Sequence, residues 1–468
     1  MKYLNYPGNP VVGILPLMLE MYKKYSPEMA RKQEPFLKEI KDRVGKFSRV
    51  EAAPVCSNNK QTRKAVVELE QKGVDLLVVV FISYAASISV IQSLIRTPLP
   101  ILLFSTSPRS SMAGGMTMED IMLNHGVHGY MDLANVLKRS RRQYFFVAGA
   151  MNDRRTFQEV EAWARTARAK KLMEDSVVGI AGHTFDGMGD FGVDTTLLHT
   201  VLGPRVKHVP LDVVAEAISG VGDKEIEMEI DRDRKNYYIA PDVDQEIHSV
   251  SNRTYLGLKK VINDMGIHAF TMHFQGMLEH PGISTPPFLG ISKLQEQGLA
   301  YAGEGDLVGA AGNLIARLLC GQVMFSETFC PDFDGGRIVM AHMGESNPAL
   351  GKETVLRRKK FAFGEAVDPV VADVEMKAGT ATVLNLGVVE ENSFQVVVYT
   401  GEICEKIPAS DDVDMPYFHF KPHLSLNELL ARYGYAGGTH HVSVIQGNRR
   451  DDLLKLAQMM EIRAVVLE

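Results

Sequence analysis

The sequence predicts an α/β protein in which two doubly wound parallel-sheet domains are followed by a β-rich C-terminal domain. Through the first two thirds of the chain, near-continuous apolar runs alternate with amphipathic helical patterns; beyond about residue 360, β-branched alternation replaces that rhythm. Apolar runs of this kind are typical of parallel strands buried on both faces. The length of 468 residues fits about three domains. We place them at residues 1–175, 176–322 and 323–468.

In the N-terminal domain, four apolar runs predict strands. They are VVGILP (11–16), DLLVVVF (75–81), PILLFS (100–105) and QYFFVAG (143–149). Helical patterns separate or follow them, over residues 17–47, 60–72, 85–96 and 156–173. Strands that alternate with helices indicate a parallel sheet covered on both faces.

The strand–helix rhythm restarts in the central domain. Its expected elements are the strand VVGIAG (177–182), the strand and helix in RVKHVPLDVVAEAI, a helix over 245–264 and the strand AFTMHF (269–274). In the C-terminal domain, the runs VVADVEM, TATVLNLGVV and FQVVVYTGEI predict an antiparallel sheet or a small barrel. A helix over 425–433, the strand HHVSVI and a final helix–strand pair close the chain.

Composition excludes several classes of function. A net charge of −6 leaves no basic surplus to neutralise nucleic-acid phosphates. The four cysteines form no CxxC pair, which argues against a zinc ribbon or a redox motif. The longest apolar runs are far too short to span a membrane, and the first residues lack the apolar stretch of a signal peptide. We therefore expect a cytoplasmic protein with neither a nucleic-acid nor a membrane partner.

Four glycine-rich segments concentrate carboxylates and imidazoles next to apolar runs. They are AGEGDL (302–307), FSETFCPDFDGG (325–336), MAHMGESNP (340–348) and GGTHHVSV (437–444). Ligand sites on open α/β sheets favour the places where strands end. Successive strand residues point to opposite faces, so of His440 and His441 one ring is expected to face a site and the other to pack or support. Two carboxylates with one or two imidazoles suit Mn²⁺ or a similar ion, whereas Asp306 is expected to cap a helix.

In order and wording, these segments resemble the L-arabinose isomerase family. EGDL resembles that family's EGDW, SETF its EDY, AHMGE its AHMLE and GGTHHVSV its GGAHHTVF. The stretch AFTMHFQGM and the weaker matches NHGVHG (124–129) and GHTFDGMGD (182–190) extend the similarity over nearly the whole chain. The resemblance implies an L-fucose/L-arabinose isomerase-like fold.

The resemblance also implies a site and a reaction. Four residues would hold a divalent metal, most often Mn²⁺ with Co²⁺, Mg²⁺ or Zn²⁺ as alternatives: Glu304, Glu327, His342 and His441. Glu304 and Glu327 would also be catalytic, moving a proton between C1 and C2 of a pentose or deoxyhexose-type sugar through an enediol. Residues expected to bind the sugar are His125, His128, Met188, Phe274, Gln275 and His440. No organic cofactor is expected, because the glycines form neither a GxGxxG nor a P-loop pattern.

The resemblance further implies a homo-oligomer, a trimer or a hexamer, in which His128 reaches the active site of a neighbouring subunit. Leu307 stands where the family has Trp, and GESNP differs from the family's LEVCP. These departures predict a best substrate other than L-arabinose.

Two other readings share the same residues. A hydrolase or lyase acting on a glycoside or sugar acid would use two carboxylates and a Lewis acid in much the same way. A non-catalytic sugar-binding protein would share the α/β architecture, because a fold alone does not fix a function.

Overall fold

A computed structural model describes residues 8–361, 366–410 and 413–468. The described residues up to Lys171 form one compact unit, and those from Leu172 form a second. The predicted fold class is confirmed: each of the first two regions contains a parallel sheet with helices, and a strand-rich sheet follows. The domain boundaries at 175 and 322 stay predictions. None of the described helices is long and apolar enough to cross a membrane.

The N-terminal unit is built on a five-stranded sheet in the order β2-β1-β3-β4-β5, whose neighbouring strands are all parallel. Its strands are β1 (Val11–Leu17), β2 (Arg49–Ala52), β3 (Leu76–Phe81), β4 (Ile101–Ser105) and β5 (Phe145–Ala148). Its helices are α1 (Glu20–Tyr25), α2 (Pro27–Lys32), α3 (Glu34–Val44), α4 (Asn59–Gln71), α5 (Ile91–Leu94), α6 (Met118–Asn124), α7 (Val127–Arg139) and α8 (Arg154–Glu174), the last of which runs into the second unit. The central strand β3 is buried along its whole length, which explains its uninterrupted apolar sequence.

Two helix predictions in this unit were wrong in extent. The amphipathic stretch 17–47 forms three helices, because Pro27 and Pro35 lie in the first turns of new helices, where the missing N–H costs nothing. The pattern over 85–96 forms only a 3₁₀ turn at Ser87–Ser89 and the single turn α5. The short edge strand β2 has no apolar run and was not predicted.

The central region has a parallel sheet in the order β10-β9-β6-β7. Its strands are β6 (Val177–Ala181), β7 (Arg205–Val209), β8 (Tyr238–Ile239), β9 (Ala269–Met272) and β10 (Ala300–Gly303), of which β8 pairs outside this sheet. Its helices are α9 (Thr195–Leu197), α10 (Leu211–Ser219), α11 (Asp223–Asn236), α12 (Gln245–Met265), α13 (Phe274–Leu278), α14 (Phe288–Glu296) and α15 (Leu307–Cys320). The strand predicted over 269–274 ends at Met272, because His273 caps α13 by accepting a hydrogen bond from the Gly276 N–H.

The C-terminal region contains a closed ring of strands. The strands of the whole region are β11 (Met324–Asp332), β12 (Arg337–Ala341), β13 (Gly351–Arg358), β14 (Val370–Met376), β15 (Gly379–Val389), β16 (Ser393–Ile403), β17 (Tyr417–Pro422), β18 (His441–Gln446) and β19 (Arg463–Leu467), with helices α16 (Leu426–Tyr435) and α17 (Arg450–Met460). The pairing order β15-β18-β11-β12-β17-β16 closes because β15 also pairs with β16. All these pairs are antiparallel, and β19 adds to β16 in parallel. Two of the three predicted runs, TATVLNLGVV and FQVVVYTGEI, form β15 and β16 of this small barrel, whereas VVADVEM forms β14, which pairs with β13 in a separate three-stranded sheet.

Two features of this topology position the site. In the central sheet, Ala181, Met272 and Gly303 lie in register on neighbouring parallel strands, so the residues that follow them emerge at one edge. In the barrel, β11 lies between β12 and β18, and Glu327 is opposite both Ala341 and His441.

Candidate metal centre

The acid and imidazole segments converge on one place. Glu304, Glu327, His440 and His441 each offer a ligand atom, and these atoms all lie within 4.8 Å of one another. The ring of His342 lies beside this group, with its centroid 5.6 Å from that of His441. Residues more than one hundred positions apart in the chain therefore share one neighbourhood.

A strained turn presents Glu304 at the end of β10. Glu304 has φ 60°, a left-handed conformation that a non-glycine residue adopts only at a cost of about 1–3 kcal/mol. The neighbouring segment stabilises it, since the Phe185 N–H donates to the Glu304 carbonyl at 2.9 Å. Gly305 follows with φ 76°, and a Cβ there would collide with the backbone of His183. In this turn the residue Glu304 is 9% exposed.

The barrel strands supply the other groups. Because residues directly opposite on antiparallel strands project from the same face, the pairing of Glu327 with His441 brings their side chains together, and Glu327 Oε1 lies 3.2 Å from His441 Nε2. Glu327 lies within β11 and not at its end. His342 directly follows β12, and its ring fits because Gly303 has no side chain: a Cβ at Gly303 would be 2.8 Å from His342 Nε2.

Buried carboxylates fix the orientation of both imidazoles. Asp306 Oδ2 accepts from His441 Nδ1 at 2.9 Å, and Glu345 Oε2 accepts from His342 Nδ1 at 2.7 Å. Glu345 in turn accepts from the Tyr301 hydroxyl at 2.7 Å. A carboxylate can only accept, so each Nδ1 carries a proton, and in the neutral ring each Nε2 keeps a lone pair.

Three side-chain atoms at this site are buried without a hydrogen-bond partner in the described structure. His342 Nε2, His441 Nε2 and Glu304 Oε2 all have this status within the described part of the chain. Buried polar atoms are almost always paired, so three unpaired polar atoms in one neighbourhood need an explanation. A divalent cation would supply it, because such ions are bound by carboxylates and by imidazoles that are oriented through Nδ1. The residues present therefore fit the metal that the sequence predicts.

His440 faces the same place but is held differently. Its Nδ1 lies 2.7 Å from Asp190 Oδ2, and its Nε2 lies 3.7 Å from Glu327 Oε1. The prediction that His440 and His441 point to opposite faces was wrong, because β18 begins only at His441. Both rings instead pack against Phe191, with centroids 5.0 and 4.8 Å away.

The surroundings shift the pKa values of Glu304, Glu327 and His441 in different ways. Burial raises the pKa of the Glu304 carboxyl against the opposing effect of the imidazoles. Burial alone would also raise the pKa of the Glu327 carboxyl, but contact with His441 and the nearby imidazoles lower it below its usual range. For His441, burial lowers the pKa, but the bond to Asp306 and contact with Glu327 outweigh it and raise the pKa to about 9.

The remaining predicted residues lie in two places. Phe274 is buried among aromatic rings that include those of Phe288 and Phe361, and Gln275 follows it half-buried in α13. Met188 is half-buried just before a 3₁₀ turn, Gly189–Phe191. Their roles in sugar binding stay predictions.

His125 and His128 belong to the N-terminal unit. His125 caps the C-terminus of α6, with its Nε2 3.2 Å from the Tyr22 hydroxyl. His128 is exposed and stacks on Tyr84 with a centroid distance of 4.3 Å.

The sequence reasoning missed three supporting carboxylates. Asp306 caps α15 as expected, through the Gly309 N–H at 2.8 Å, but its second oxygen also orients His441. Glu345 follows His342 by three residues, and that spacing was an available signal. Asp190 is 250 residues from His440, and nothing in the local sequence links the two.

Comparisons with known proteins give the family. A model described as the L-arabinose isomerase central domain matches residues 192–320, and one described as the L-arabinose isomerase C-terminal domain matches residues 322–463, together more than half of the chain. An L-arabinose isomerase of Klebsiella pneumoniae subsp. pneumoniae is 24% identical over 387 residues, and that of Erwinia tasmaniensis is 26% identical over 396 residues. Each alignment covers 79% of this chain and 76% of the relative. The chain therefore belongs to the L-arabinose isomerase family, as a divergent member.

Proposed function

We propose that the protein is a metal-dependent aldose–ketose isomerase that converts a pentose or deoxyhexose-type sugar through an enediol. The observation that carries the proposal is the set of unpaired, buried acceptor atoms of Glu304, His342 and His441 next to a second carboxylate, Glu327. Family membership supports the reaction class, because the relatives are named L-arabinose isomerases.

In this proposal, Glu304, Glu327, His342 and His441 hold the cation, most often Mn²⁺. Asp306 and Glu345 keep the two imidazoles in the tautomer that can ligate. A divalent cation bound there polarises the sugar carbonyl and stabilises the negative charge that develops on its oxygen.

The proton transfer falls to the two carboxylates. Conversion of an aldose to a ketose moves a hydrogen from C2 to C1 and a proton from the C2 oxygen to the C1 oxygen. The carboxylates of Glu304 and Glu327 both lie at the candidate metal centre. One of them can accept the proton from C2 and return it to C1, while the other moves the proton from the C2 oxygen to the C1 oxygen. The half-exposed His440, held by Asp190, is placed to contact a sugar hydroxyl.

The choice of His342 over His440 as the fourth ligand rests on burial. His342 is 4% exposed, its Nδ1 is bound to a carboxylate, and its Nε2 has no partner in the described residues. His440 lies on the more open side, with about a third of its side chain exposed.

The deciding experiment measures ketose formation from a panel of aldoses by metal-free protein with and without added Mn²⁺. In D₂O, an enediol mechanism exchanges deuterium into the sugar, which NMR detects and hydrolysis does not require. Glycoside cleavage or elimination without ketose formation would favour the hydrolase or lyase, and sugar binding without turnover would favour the binding protein.

We also propose a cytoplasmic homo-oligomer, a trimer or hexamer, with active sites shared between subunits. The support is the family resemblance of NHGVHG, together with the exposed position of His128. Sedimentation of the active species gives the test of this assembly.

A further inference from the structure

Two histidines that the proposed reaction does not use lie beside Glu304. Gly303, Met272 and Ala181 end neighbouring strands in register. Glu304, His273 and His183 therefore emerge side by side, roughly one to two strand spacings of ~4.8 Å apart. The His183 and His273 ring centroids are 4.7 Å apart.

Phe185 connects the pair with the Glu304 turn. Its ring packs edge-on against His273 at 4.9 Å, and its N–H donates to the Glu304 carbonyl. The Thr184 hydroxyl adds a second link, by donating to the Gly305 carbonyl at 3.1 Å. The pair is thus fixed against the strained turn.

Hydrogen bonding defines the tautomer of His273. Its Nδ1 accepts from the Gly276 N–H at 3.1 Å, so in the neutral ring the proton is on Nε2. That Nε2 is buried and has no hydrogen-bond partner in the described structure, and the residue is 5% exposed. Burial, followed by the neighbouring His183, lowers the pKa of His273, which favours the neutral ring.

His183 has the complementary tautomer. Its Nδ1 lies 2.8 Å from the Thr184 carbonyl oxygen, which can only accept, so Nδ1 carries the proton and Nε2 keeps a lone pair. The ring is exposed. One ring therefore presents a donor and the other presents an acceptor.

We propose that His273 and His183 form a subsite that binds a hydroxyl group of the sugar away from its carbonyl end. This inference rests on the proposed function, which places the carbonyl end at Glu304 and Glu327. A hydroxyl donates and accepts at once, and so it satisfies both ring nitrogens. A carboxylate or phosphate would meet the lone pair of His183, and an ammonium would meet the N–H of His273.

The tautomers also exclude a second metal site at this pair. Ligation through His273 Nε2 would require the ring proton to move to Nδ1, but Nδ1 already accepts from the Gly276 N–H. The unpaired donor of His273 thus requires an oxygen acceptor, and a sugar hydroxyl is the acceptor that the proposed reaction brings to this edge.

Two substitutions of His273 separate a substrate role from a structural one. His273→Asn keeps an acceptor for the Gly276 N–H and is a good helix cap, but it has no donor at the place of Nε2. His273→Gln places an amide N–H near Nε2 but gives up the cap. His208→Gln, at an exposed position on β7 of the same sheet, is the matched control.

The first measurement is calorimetric binding of ribitol, xylitol, L-arabinitol and L-fucitol to the Mn²⁺-loaded protein. For the tightest polyol, we expect His273→Asn to weaken binding roughly tenfold, the value of one buried hydrogen bond. His273→Gln should retain more of the affinity, and His208→Gln all of it. The second measurement is the ratio of kcat/KM between aldoses, which should change in His273→Asn with Mn²⁺ affinity unaltered.

The opposite ranking, with Asn equal to wild type and Gln impaired, would reduce His273 to a helix cap and overturn the proposal. So would a wild-type protein that binds none of the four polyols. Polyol binding without conversion of any aldose would refute the proposed function instead, and the ranking of the variants would still decide the subsite.

Discussion

Replacing Asp306 by Asn should weaken metal binding without unfolding the protein. Asp306 is 2% exposed and does two things: Oδ1 accepts from the Gly309 N–H at 2.8 Å and caps α15, and Oδ2 accepts from His441 Nδ1 at 2.9 Å. Asn caps a helix as well as Asp does, so the first function is kept. The amide NH₂ would face His441 Nδ1, where two donors cannot pair.

The imidazole can relieve this conflict by moving its proton from Nδ1 to Nε2. The nitrogen that faces Glu327 and Glu304 then no longer has a lone pair for a cation. Losing the bond to a charged group costs ~1.5–3 kcal/mol, and removing such an orienting partner weakens metal affinity by about 10–100-fold. The free energy of unfolding of the metal-free protein should fall by no more than that ~1.5–3 kcal/mol, because the helix cap survives.

The assay is competition for Mn²⁺ against a chelator of known affinity, with thermal unfolding of the metal-free protein beside it. The matched control is Asp244→Asn, which alters the cap of α12, where Asp244 Oδ1 accepts from the Ile247 N–H at 2.9 Å. A dissociation constant for Asp306→Asn within threefold of wild type would refute the reasoning. Equal weakening by Asp244→Asn would show that the effect is not specific to His441.

Four further predictions follow from the site. Glu304→Gln and Glu327→Gln should each lower turnover by about 10²–10⁴-fold with unchanged circular dichroism, since an amide cannot accept a proton; activity within tenfold of wild type would remove that residue from proton transfer. Gly303→Ala should weaken Mn²⁺ binding, because the added Cβ would be 2.5 Å from His342 Cε1. The control Gly434→Ala, which has open space around it, should leave the affinity unchanged. Unchanged affinity in Gly303→Ala would count against His342 as a ligand. Because the pKa of His441 is raised to about 9, the metal-free ring is protonated at pH 7, and Mn²⁺ must displace a proton to bind. The Mn²⁺ affinity should therefore rise roughly tenfold per pH unit up to about pH 9. Calorimetric titration in buffers of different ionisation enthalpy measures the released proton, and the absence of proton release would contradict this prediction. Mixing inactive His128→Ala with inactive Glu304→Gln should restore activity in hybrid oligomers, and an active monomer would refute the shared site.

The sequence predicted the elements that depend on neighbouring residues. Residues 76–81 are apolar without interruption because a strand buried on both faces favours apolar side chains at every position, and they form β3. The β-branched run 380–389 lies within β15 of the barrel, where residues 381–387 are all buried. Helix bounds were less accurate where proline divides an amphipathic pattern, as at Pro27 and Pro35.

The sequence also indicated which residues form the candidate site, but only because its short motifs resemble those of a known family. Spacing alone could not bring Glu304, Glu327 and His441 together, because the pairing of β11 with β18 and the edge of β10 are set by contacts between distant parts of the chain. Strand register is a collective property of the packed sheet, and a slip of one residue would turn Glu327 away from His441.

Only the tertiary structure decided how the imidazoles are held. Asp190 reaches His440 across 250 residues, and Asp306 divides its two oxygens between a helix N-terminus and His441. The complementary tautomers of His183 and His273 likewise depend on which backbone group each ring meets. The sequence determines which residue types are available for chemistry. The tautomer and orientation of each imidazole ring are set by hydrogen-bond partners that come into contact only when the chain folds.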